Sequence, residues 1–234
     1  MFDFTAKSIV VTGGTSGIGR AIAQAFSEAG AHVIAAGLPS QEERLAGVAV
    51  EIVDVADGAA IARLFENIPE VHVLVNAAGI IRREEEFSLD VFAQVVDVNL
   101  TGVMRASMAA RPKLAKTKGC IVNVASMLSF FGAPKAPAYS ASKGGVAQLT
   151  RSLAVAWAAD GIRVNAVAPG WIATPLTRAL QNDAARSEQL LARTPFGRWG
   201  LASEVAGPVL FLSSEAASFM TGAIVTVDGG YSAA

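Results

Sequence analysis

The sequence has few of the residues that build disulfide scaffolds or metal sites. Its 234 residues include one cysteine and two histidines. A single cysteine, Cys120, excludes an internal disulfide, and its apolar neighbours predict a buried strand thiol. The two histidines, His32 and His72, lie far apart in the chain and form no metal-binding pattern. We therefore expect neither a disulfide-stabilised protein nor a metalloprotein.

Charge of one sign and long apolar runs are also scarce. The chain has 19 basic and 20 acidic residues, a net charge of −1, which predicts no surface for nucleic acid. No apolar run is long enough to span a bilayer, and the first residues lead into a strand without a signal-peptide core. We predict a cytoplasmic protein that binds neither nucleic acid nor membrane. Hydrophobic residues form 52% of the chain, enough for a large core.

Short β-branched runs alternate with longer helical patterns along the chain. Uninterrupted apolar runs are typical of strands that are covered on both faces. The alternation predicts an α/β fold: a single Rossmann-like domain over residues 1–234, with a doubly wound parallel sheet of about seven strands and helices on both faces. The predicted strands are Ser8–Thr12, His32–Ala36, Ala49–Val53, Val71–Asn76, Gly119–Val124, Arg163–Ala168 and Ile224–Asp228. The predicted helices are Gly17–Ala29, Gly58–Asn67, Leu89–Lys116, Pro137–Ala159 and Ser203–Leu212.

The segment from Trp171 to Gly200 interrupts this alternation. It contains Pro175 and Pro195 with a polar helical stretch, Ala184–Ala192, between them. Long excursions in compact domains are often functional, and this one follows a strand end, where ligands bind in such sheets. We predict a substrate lid around residues 171–200. A plain surface insertion is the alternative.

A glycine-rich turn follows the first predicted strand. Gly13, Gly17 and Gly19 allow a tight turn and close approach to a pyrophosphate, and the helix that begins there directs free N–H groups at the phosphates. A lone glycine-rich loop is weak evidence, because ordinary tight turns also use glycine. Its position between the first strand and the first helix predicts a dinucleotide site.

Tyr139 and Lys143 are four residues apart in a predicted helix and therefore share one face. A tyrosine hydroxyl has a pKa near 10, and reaching about 7 needs roughly 4 kcal/mol. We expect the Lys143 ammonium, together with a cationic nicotinamide, to lower the pKa. A hydroxyl from Ser126 would hold a substrate oxygen, so the three residues predict acid–base chemistry on a carbinol or carbonyl. The alternative is a helix that carries a tyrosine and a lysine by chance.

These motifs occur in an order that resembles the short-chain dehydrogenase/reductase family. The matching features are the glycine pattern in Thr12–Gly19, Asp54-Val55, Asn76–Gly79, Asn99, the set Ser126, Tyr139 and Lys143, and Pro169-Gly170 with Thr174. Each motif alone is weak, but together they cover nearly the whole chain. The resemblance implies hydride transfer between a nicotinamide cofactor and a secondary alcohol or ketone.

The resemblance also implies roles for single residues. Tyr139 would exchange the proton, Ser126 would hold the substrate oxygen, and Asn99 would fix a water molecule for Lys143. Without the other motifs, Asn99 would be an ordinary helix asparagine. The implied cofactor-binding residues are Gly13, Thr15, Ser16, Gly17, Ile18, Gly19, Gly37, Leu38, Asp54, Val55, Asn76, Ala77, Gly79, Tyr139, Lys143, Pro169, Gly170, Ile172 and Thr174.

The residues after the second strand bear on the choice between NAD and NADP. An acidic residue there bonds the ribose 2′-hydroxyl and a basic one accommodates a 2′-phosphate, but this chain has Gly37 and Leu38. Ser16 stands where NADP-preferring members often have a base, and two glutamates and Arg44 follow further on. A 2′-phosphate without a cationic partner is costly, so we predict NAD, with NADP as the alternative. The connection to Val48 is short, which predicts an open adenine pocket.

The substrate is the part that the sequence determines least. Residues 76–83, 125–130 and 194–200 resemble one branch of the family, the dehydrogenases of 2-deoxy-gluconate and 2-keto-3-deoxy sugar acids. Such substrates carry a carboxylate, which a guanidinium binds well. The predicted substrate residues are Arg82, Arg83, Met127, Trp171 and Arg178, with Arg193, Arg198, Leu128 and Phe130 as further candidates. For each arginine, a solvated surface position or a structural ion pair is the alternative.

Two other functions stay open at this point. A 3-oxoacyl carrier-protein reductase shares every catalytic motif, but would use NADPH and need a basic docking patch. A non-catalytic nicotinamide-binding regulator would be favoured by loss of Tyr139 or Lys143, and both are present. The resemblance also implies a homotetramer in which helices 89–116 and 137–159 pair between subunits. The alternative is that their apolar residues belong to the core.

Overall fold

Seven parallel strands form one sheet in the computed structural model, which describes residues 2–43 and 45–234. The strands are β1 (Ser8–Thr12), β2 (His32–Gly37), β3 (Val48–Ile52), β4 (Val73–Asn76), β5 (Cys120–Val124), β6 (Arg163–Pro169) and β9 (Ile224–Val227), while β7 (Ile172–Ala173) and β8 (Gly200–Leu201) form a separate pair. The order in the sheet is β3-β2-β1-β4-β5-β6-β9. The predicted doubly wound parallel sheet is confirmed. Arg44 lies outside the described residues.

Helices pack on both faces of this sheet. They are α1 (Gly17–Glu28), α2 (Gly58–Glu66), α3 (Leu89–Val96), α4 (Gly102–Thr117), α5 (Pro137–Trp157), α6 (Arg178–Gln181), α7 (Ala184–Ala192) and α8 (Ala202–Ser213). The predicted helix Leu89–Lys116 is interrupted, because residues Asp97–Thr101 form a π-helical turn between α3 and α4. Within the described chain, no helix combines the length and apolar character that a membrane crossing requires.

The two faces of the sheet have separate hydrophobic cores, as the alternation of strand side chains requires. Ile9 and Val11 of β1 pack in one core with residues of α1 and α8, such as Phe26. Val10 points the other way, into a core shared with α2, α4 and α5. Each fully buried side chain of this size contributes about 1.5–3 kcal/mol. Cys120 is a buried strand thiol, as predicted, and burial raises its pKa.

The edge of the sheet at β3 is the least covered part of the fold. No helix occurs among the described residues between β2 and β3, as the short connection predicts. Val50 and Ile52 of β3 are consequently 38% and 60% exposed. The adenine side of any nucleotide bound here would therefore be open, as expected from the sequence.

The segment 171–200 contains more structure than the sequence predicts. The predicted helix Ala184–Ala192 is α7, which begins after Asp183, whose Oδ1 accepts the Arg186 N–H. The short helix α6 and the strands β7 and β8 were not predicted. A hydrogen bond joins two parts of the segment, because Trp199 Nε1 donates to Ser187 Oγ at 2.9 Å.

Candidate active site

A cleft of about 450 Å³ lies along the carboxyl edge of the sheet. Its position follows from the topology, because the order of strands reverses between β1 and β4 and the loops on either side diverge there. Of the predicted site residues, only Asn76, Asn99 and Arg178 do not line it. Those that do are Gly13, Thr15, Ser16, Gly17, Ile18, Gly19, Gly37, Leu38, Asp54, Val55, Ala77, Gly79, Arg82, Arg83, Ser126, Met127, Tyr139, Lys143, Pro169, Gly170, Trp171, Ile172 and Thr174.

The glycine turn fits a dinucleotide pyrophosphate. Gly13 has a left-handed φ of 68°, and a Cβ there would lie 2.5 Å from the Ala78 nitrogen. A Cβ at Gly19 would lie 2.2 Å from the Gly13 carbonyl oxygen. The side chain of Ser16 makes no capping bond to α1. Apart from the Gly17 N–H, which donates to Glu42, the helix start can therefore offer N–H groups to an anion. Only glycine allows α1 to begin so close to the cleft.

The outer end of the cleft has an acidic group that comes from an unexpected position. A Cβ at Gly37 would lie 2.7 Å from Thr15 Oγ1, so any side chain here would require Thr15 to move. Glu42 instead folds back, and its Oε1 accepts the Gly17 N–H at 3.3 Å. Its Oε2 lies 3.3 Å from Arg20 Nε. A carboxylate, paired with one arginine, thus stands beside the start of α1.

The first two turns of α5 carry the tyrosine and the lysine. Pro137 opens this helix at a position where its missing N–H costs nothing. Lys143 follows one turn after Tyr139, is buried, and has its Nζ 5.7 Å from the centre of the tyrosine ring. The same Nζ donates to the Val124 carbonyl at 2.7 Å. The two side chains share one helix face, as the spacing predicts.

Burial dominates the electrostatics of this pair. Burial raises the pKa of the Tyr139 hydroxyl, while Ser126 and Arg83 lower it and Glu86 raises it further. Burial also lowers the pKa of Lys143 from 10.5 to about 8. In the protein without its cofactor, desolvation is the largest influence on the Tyr139 hydroxyl and raises its pKa. The lowering by Lys143 together with a cationic nicotinamide stays a prediction.

The loop that carries Ser126 is tied to the same helix. Ser126 caps a short 3-10 turn, with its Oγ accepting the Leu128 N–H at 3.1 Å and its N–H donating to Ser129 Oγ at 3.3 Å. Ser129 Oγ in turn donates to the Lys143 carbonyl at 2.7 Å. The capping box thus fixes Ser126 relative to α5, a link that the sequence analysis did not identify.

Asn99 lies beneath the cleft, in the π-helical turn. Its Oδ1 accepts the Ile80 N–H at 2.8 Å, and its Nδ2 donates to the Ile80 carbonyl at 2.9 Å and to Ser142 Oγ at 3.1 Å. A Cβ at Gly79 would lie 3.3 Å from Asn99 Oδ1 and 3.6 Å from Lys143 Nζ. Asn99 therefore holds the loop after β4 against the lysine.

The side chain of Asn76 has a structural position and does not line the cleft, so the structure gives no support for a side-chain contact with the cofactor. Asn76 is 1% exposed, and its Nδ2 donates to Asn123 Oδ1 at 2.9 Å and to Ser107 Oγ at 3.2 Å. Asn123 continues the network to Thr150 on α5 at 2.9 Å. The side chain is fully used inside the protein, because a buried amide must find partners there.

The five candidate arginines separate into two groups. Arg83 is half-buried in the cleft wall, burial lowers its pKa, and the more exposed Arg82 lines the cleft beside it. The other three point elsewhere. Arg178 is exposed and outside the cleft lining, Arg193 stacks on Tyr231 at 4.7 Å, and Arg198 pairs with Glu204 at 2.6 Å. The substrate contact predicted for Arg178 is therefore not supported.

Aromatic side chains close the cleft on the side of the 171–200 segment. Trp171 packs edge-to-face against Trp199 at 6.1 Å and against Tyr231 at 6.2 Å between ring centres. Tyr231, Gln94 and Leu128 also line the cleft. The sequence analysis did not assign Gln94 or Tyr231 to the site, because nothing in their local sequence distinguishes them from other helix and C-terminal residues.

Comparisons with known proteins agree with this geometry. A family model described as enoyl-(acyl carrier protein) reductase matches residues 13–232. The chain is 41% identical to the 2-dehydro-3-deoxy-D-gluconate 5-dehydrogenase of Bacillus subtilis, over 98% of this chain and 96% of that protein. It is 44% identical to a galactitol 2-dehydrogenase (L-tagatose-forming) of Cereibacter sphaeroides, over 99% and 97%.

A solved structure extends the comparison to three dimensions. It is a putative 2-deoxy-D-gluconate 3-dehydrogenase from Agrobacterium tumefaciens with bound NADP. The TM-score is 0.93 at 42% identity, and the match covers 100% of this chain and 99% of that one. The fold and its nucleotide cleft are therefore common to both proteins.

Proposed function

Since this chain belongs to the short-chain dehydrogenase/reductase family, we propose that it oxidises a secondary hydroxyl of a sugar acid, or reduces the corresponding ketone. It is an oxidoreductase that acts on CH–OH groups with a nicotinamide cofactor. The 2-keto-3-deoxy sugar acids are the proposed substrate class, and the observation that carries this proposal is the half-buried Arg83 in the cleft wall near Tyr139.

The residues of the cleft have separate proposed roles in the reaction. Tyr139 takes the hydroxyl proton during oxidation and returns it during reduction. Ser126 holds the substrate oxygen beside that hydroxyl, and Lys143 supplies positive charge on the same helix face. A nicotinamide held in this cleft would supply the hydride acceptor, and its positive charge would favour the Tyr139 phenolate. Asn99 positions the Ile80 backbone and, we propose, a water molecule that exchanges protons with Lys143.

The guanidinium of Arg83 favours an acid over an uncharged polyol. A carboxylate and a guanidinium form two charge-assisted hydrogen bonds, which are stronger when water is excluded. Arg82 is the second cation of the same wall. The relative from Cereibacter sphaeroides is described as acting on galactitol, so a polyol is the competing substrate class. The competing carrier-protein reductase would need a basic docking patch beside the cleft, and apart from the buried Lys143 the described lining contains only the two arginines as cations.

We propose NAD as the preferred cofactor, on the basis of Glu42. Its carboxylate stands beside the start of α1 and neutralises Arg20. A 2′-phosphate brought near this carboxylate would be repelled and would lack a free cation among the described residues that line the outer end. The Agrobacterium tumefaciens protein binds NADP. The affinities for NAD and NADP must therefore be compared directly to test this preference.

Three broader features complete the proposal. Residues 171–200 form a substrate lid of a single catalytic domain, with Trp171 as the contact between lid and cleft. Leu89, Met108 and Val155 expose 85%, 48% and 82% of their surface on α3, α4 and α5. This apolar surface supports contact between subunits, and we propose a homotetramer. We also propose a cytoplasmic location.

A substrate panel tests the function. The purified protein is assayed with 2-keto-3-deoxy-gluconate, gluconate and galactitol, each with NAD and with NADP, and with a 3-oxoacyl thioester and NADH or NADPH, by the absorbance of the reduced cofactor. We expect the highest kcat/KM for an acid with NAD. A higher kcat/KM for galactitol would refute the substrate class, and turnover of acyl thioesters alone would favour the carrier-protein reductase.

A further inference from the structure

A buried carboxylate joins the arginine loop to the catalytic helix. Glu86 is 1% exposed, although it lies in a run of three glutamates that reads as a solvated surface. Burying a charged group is costly unless hydrogen bonds compensate it. Glu86 has such bonds, and both lead to backbone N–H groups of the active site.

The first bond closes the turn that contains Arg83. Glu86 Oε1 accepts the Arg82 N–H at 2.9 Å, while the Glu86 N–H donates to the Arg82 carbonyl at 3.1 Å. These two hydrogen bonds close a turn of residues 82–86. Arg83 lies inside this turn, so its backbone has little freedom to move.

The second bond reaches the start of α5. Glu86 Oε2 accepts the Tyr139 N–H at 2.9 Å. This N–H lies in the first helical turn, where no carbonyl of the helix can accept it. Ala136, the capping residue, has no side chain that could serve. A carboxylate is also favoured there by the positive end of the helix dipole. Glu86 therefore caps the catalytic helix from a segment 53 residues away.

We propose that Glu86 is a positioning residue that fixes Arg83 relative to Tyr139, so that the substrate carboxylate and the reacting hydroxyl are held at a set separation. This inference rests on the proposed sugar-acid substrate. The Glu86 carboxylate accepts the backbone N–H groups of Arg82 and Tyr139. It therefore holds both the loop whose Arg83 would bind the substrate carboxylate and the helix whose Tyr139 would take the hydroxyl proton.

The same placement gives Glu86 an electrostatic effect that opposes that of Arg83. The groups that shift the pKa of the Tyr139 hydroxyl are Ser126, Arg83 and Glu86, and the Lys143 Nζ lies 5.7 Å from the centre of the tyrosine ring. The positive Arg83 lowers the pKa of Tyr139, and the negative Glu86 raises it. Oxidation needs Tyr139 deprotonated, so neutralising Glu86 should move the acid limb of the oxidation rate to lower pH, and neutralising Arg83 should move it to higher pH.

The test compares Glu86→Gln with Glu85→Gln, its exposed neighbour with the same change of charge. In Glu86→Gln we expect the KM for 2-keto-3-deoxy-gluconate to rise about tenfold, since an amide oxygen cannot replace both carboxylate bonds. The KM for galactitol and the calorimetric Kd for NAD should stay within about twofold, because neither ligand uses Arg83. The acid limb of the oxidation rate should move to lower pH in Glu86→Gln alone.

The outcomes separate this inference from the proposed function. If the wild type prefers the acid and Glu86→Gln matches Glu85→Gln in KM and pH profile, the inference is overturned. If the wild type turns over only galactitol, the sugar-acid proposal fails, and the pH limb measured with galactitol still decides the electrostatic role. If Glu86→Gln does not fold, Glu86→Asp retains the charge with a shorter reach. It should raise the KM for the acid while leaving the pH limb in place, and an unchanged KM would contradict the positioning role.

Discussion

The two ends of the cleft are built differently. At the catalytic end, Tyr139 and Lys143 are fixed by one helix, and Ser126 is tied to that helix through Ser129. At the outer end, the shortened connection between β2 and β3 supplies Glu42 from a largely exposed loop. The first arrangement is buried and shielded, whereas the second is open to solvent and to salt. We infer that chemistry depends on the rigid end and cofactor choice on the open one.

The largest effect should come from the catalytic end. Tyr139→Phe removes the hydroxyl that is proposed to exchange the substrate proton, and general acid–base catalysis is worth about 10²–10⁴-fold. We expect kcat to fall about a thousandfold, while the calorimetric Kd for NAD stays near the wild-type value. Ser140→Ala, next to it on the same helix, is the control. Substantial turnover in Tyr139→Phe would refute the assignment.

A smaller effect should appear in stability. Burial lowers the pKa of Lys143 from 10.5 to about 8, so between these values the unfolded chain binds more protons than the folded protein. Stability then rises with pH, and the Lys143 contribution should grow by about 2 kcal/mol between about pH 8 and 10. Denaturant unfolding of the wild type and Lys143→Met at both pH values measures it. Equal pH dependence in the two proteins would contradict the burial of a charged lysine, and the exposed Lys116→Met should behave as the wild type.

The open end should give the smallest effect. Glu42→Gln removes the negative charge and releases Arg20 for a phosphate. We expect the Kd for NADP to fall about tenfold and the Kd for NAD to change little, because one charge interaction near the surface is worth about 1 kcal/mol. Calorimetry with both cofactors measures this. The adjacent Glu43→Gln is the control, and an unchanged NADP affinity in Glu42→Gln would remove Glu42 from cofactor choice.

The same contrast explains which features the sequence could predict. The strands, the glycine turn and the tyrosine–lysine pair depend on neighbours within a few residues, so local patterns identify them. Glu86 and Glu42 depend on partners 53 and 25 residues away. Nothing in the acidic runs around them distinguishes a buried glutamate from a solvated one, because burial is a property of the assembled fold.

Asn76 and the tyrosine pKa illustrate the same limit. The resemblance implied a cofactor contact for Asn76, but its amide is used by Ser107 and Asn123 from other elements. The expected pKa of Tyr139 considered the lysine and the nicotinamide but not the desolvation of the hydroxyl, which is the largest influence. The partners of Asn76 and the desolvation of Tyr139 both arise from tertiary packing, which a pattern of residues along the chain does not describe.

The most direct test of the sugar-acid proposal is the effect of Arg83→Gln on the ratio of kcat/KM for 2-keto-3-deoxy-gluconate to kcat/KM for galactitol. If Arg83 binds the substrate carboxylate, this ratio should fall at least about tenfold. The exposed Arg178→Gln, outside the cleft, should leave it unchanged. An Arg83→Gln enzyme with the wild-type ratio would contradict the central claim that this half-buried guanidinium selects an acid.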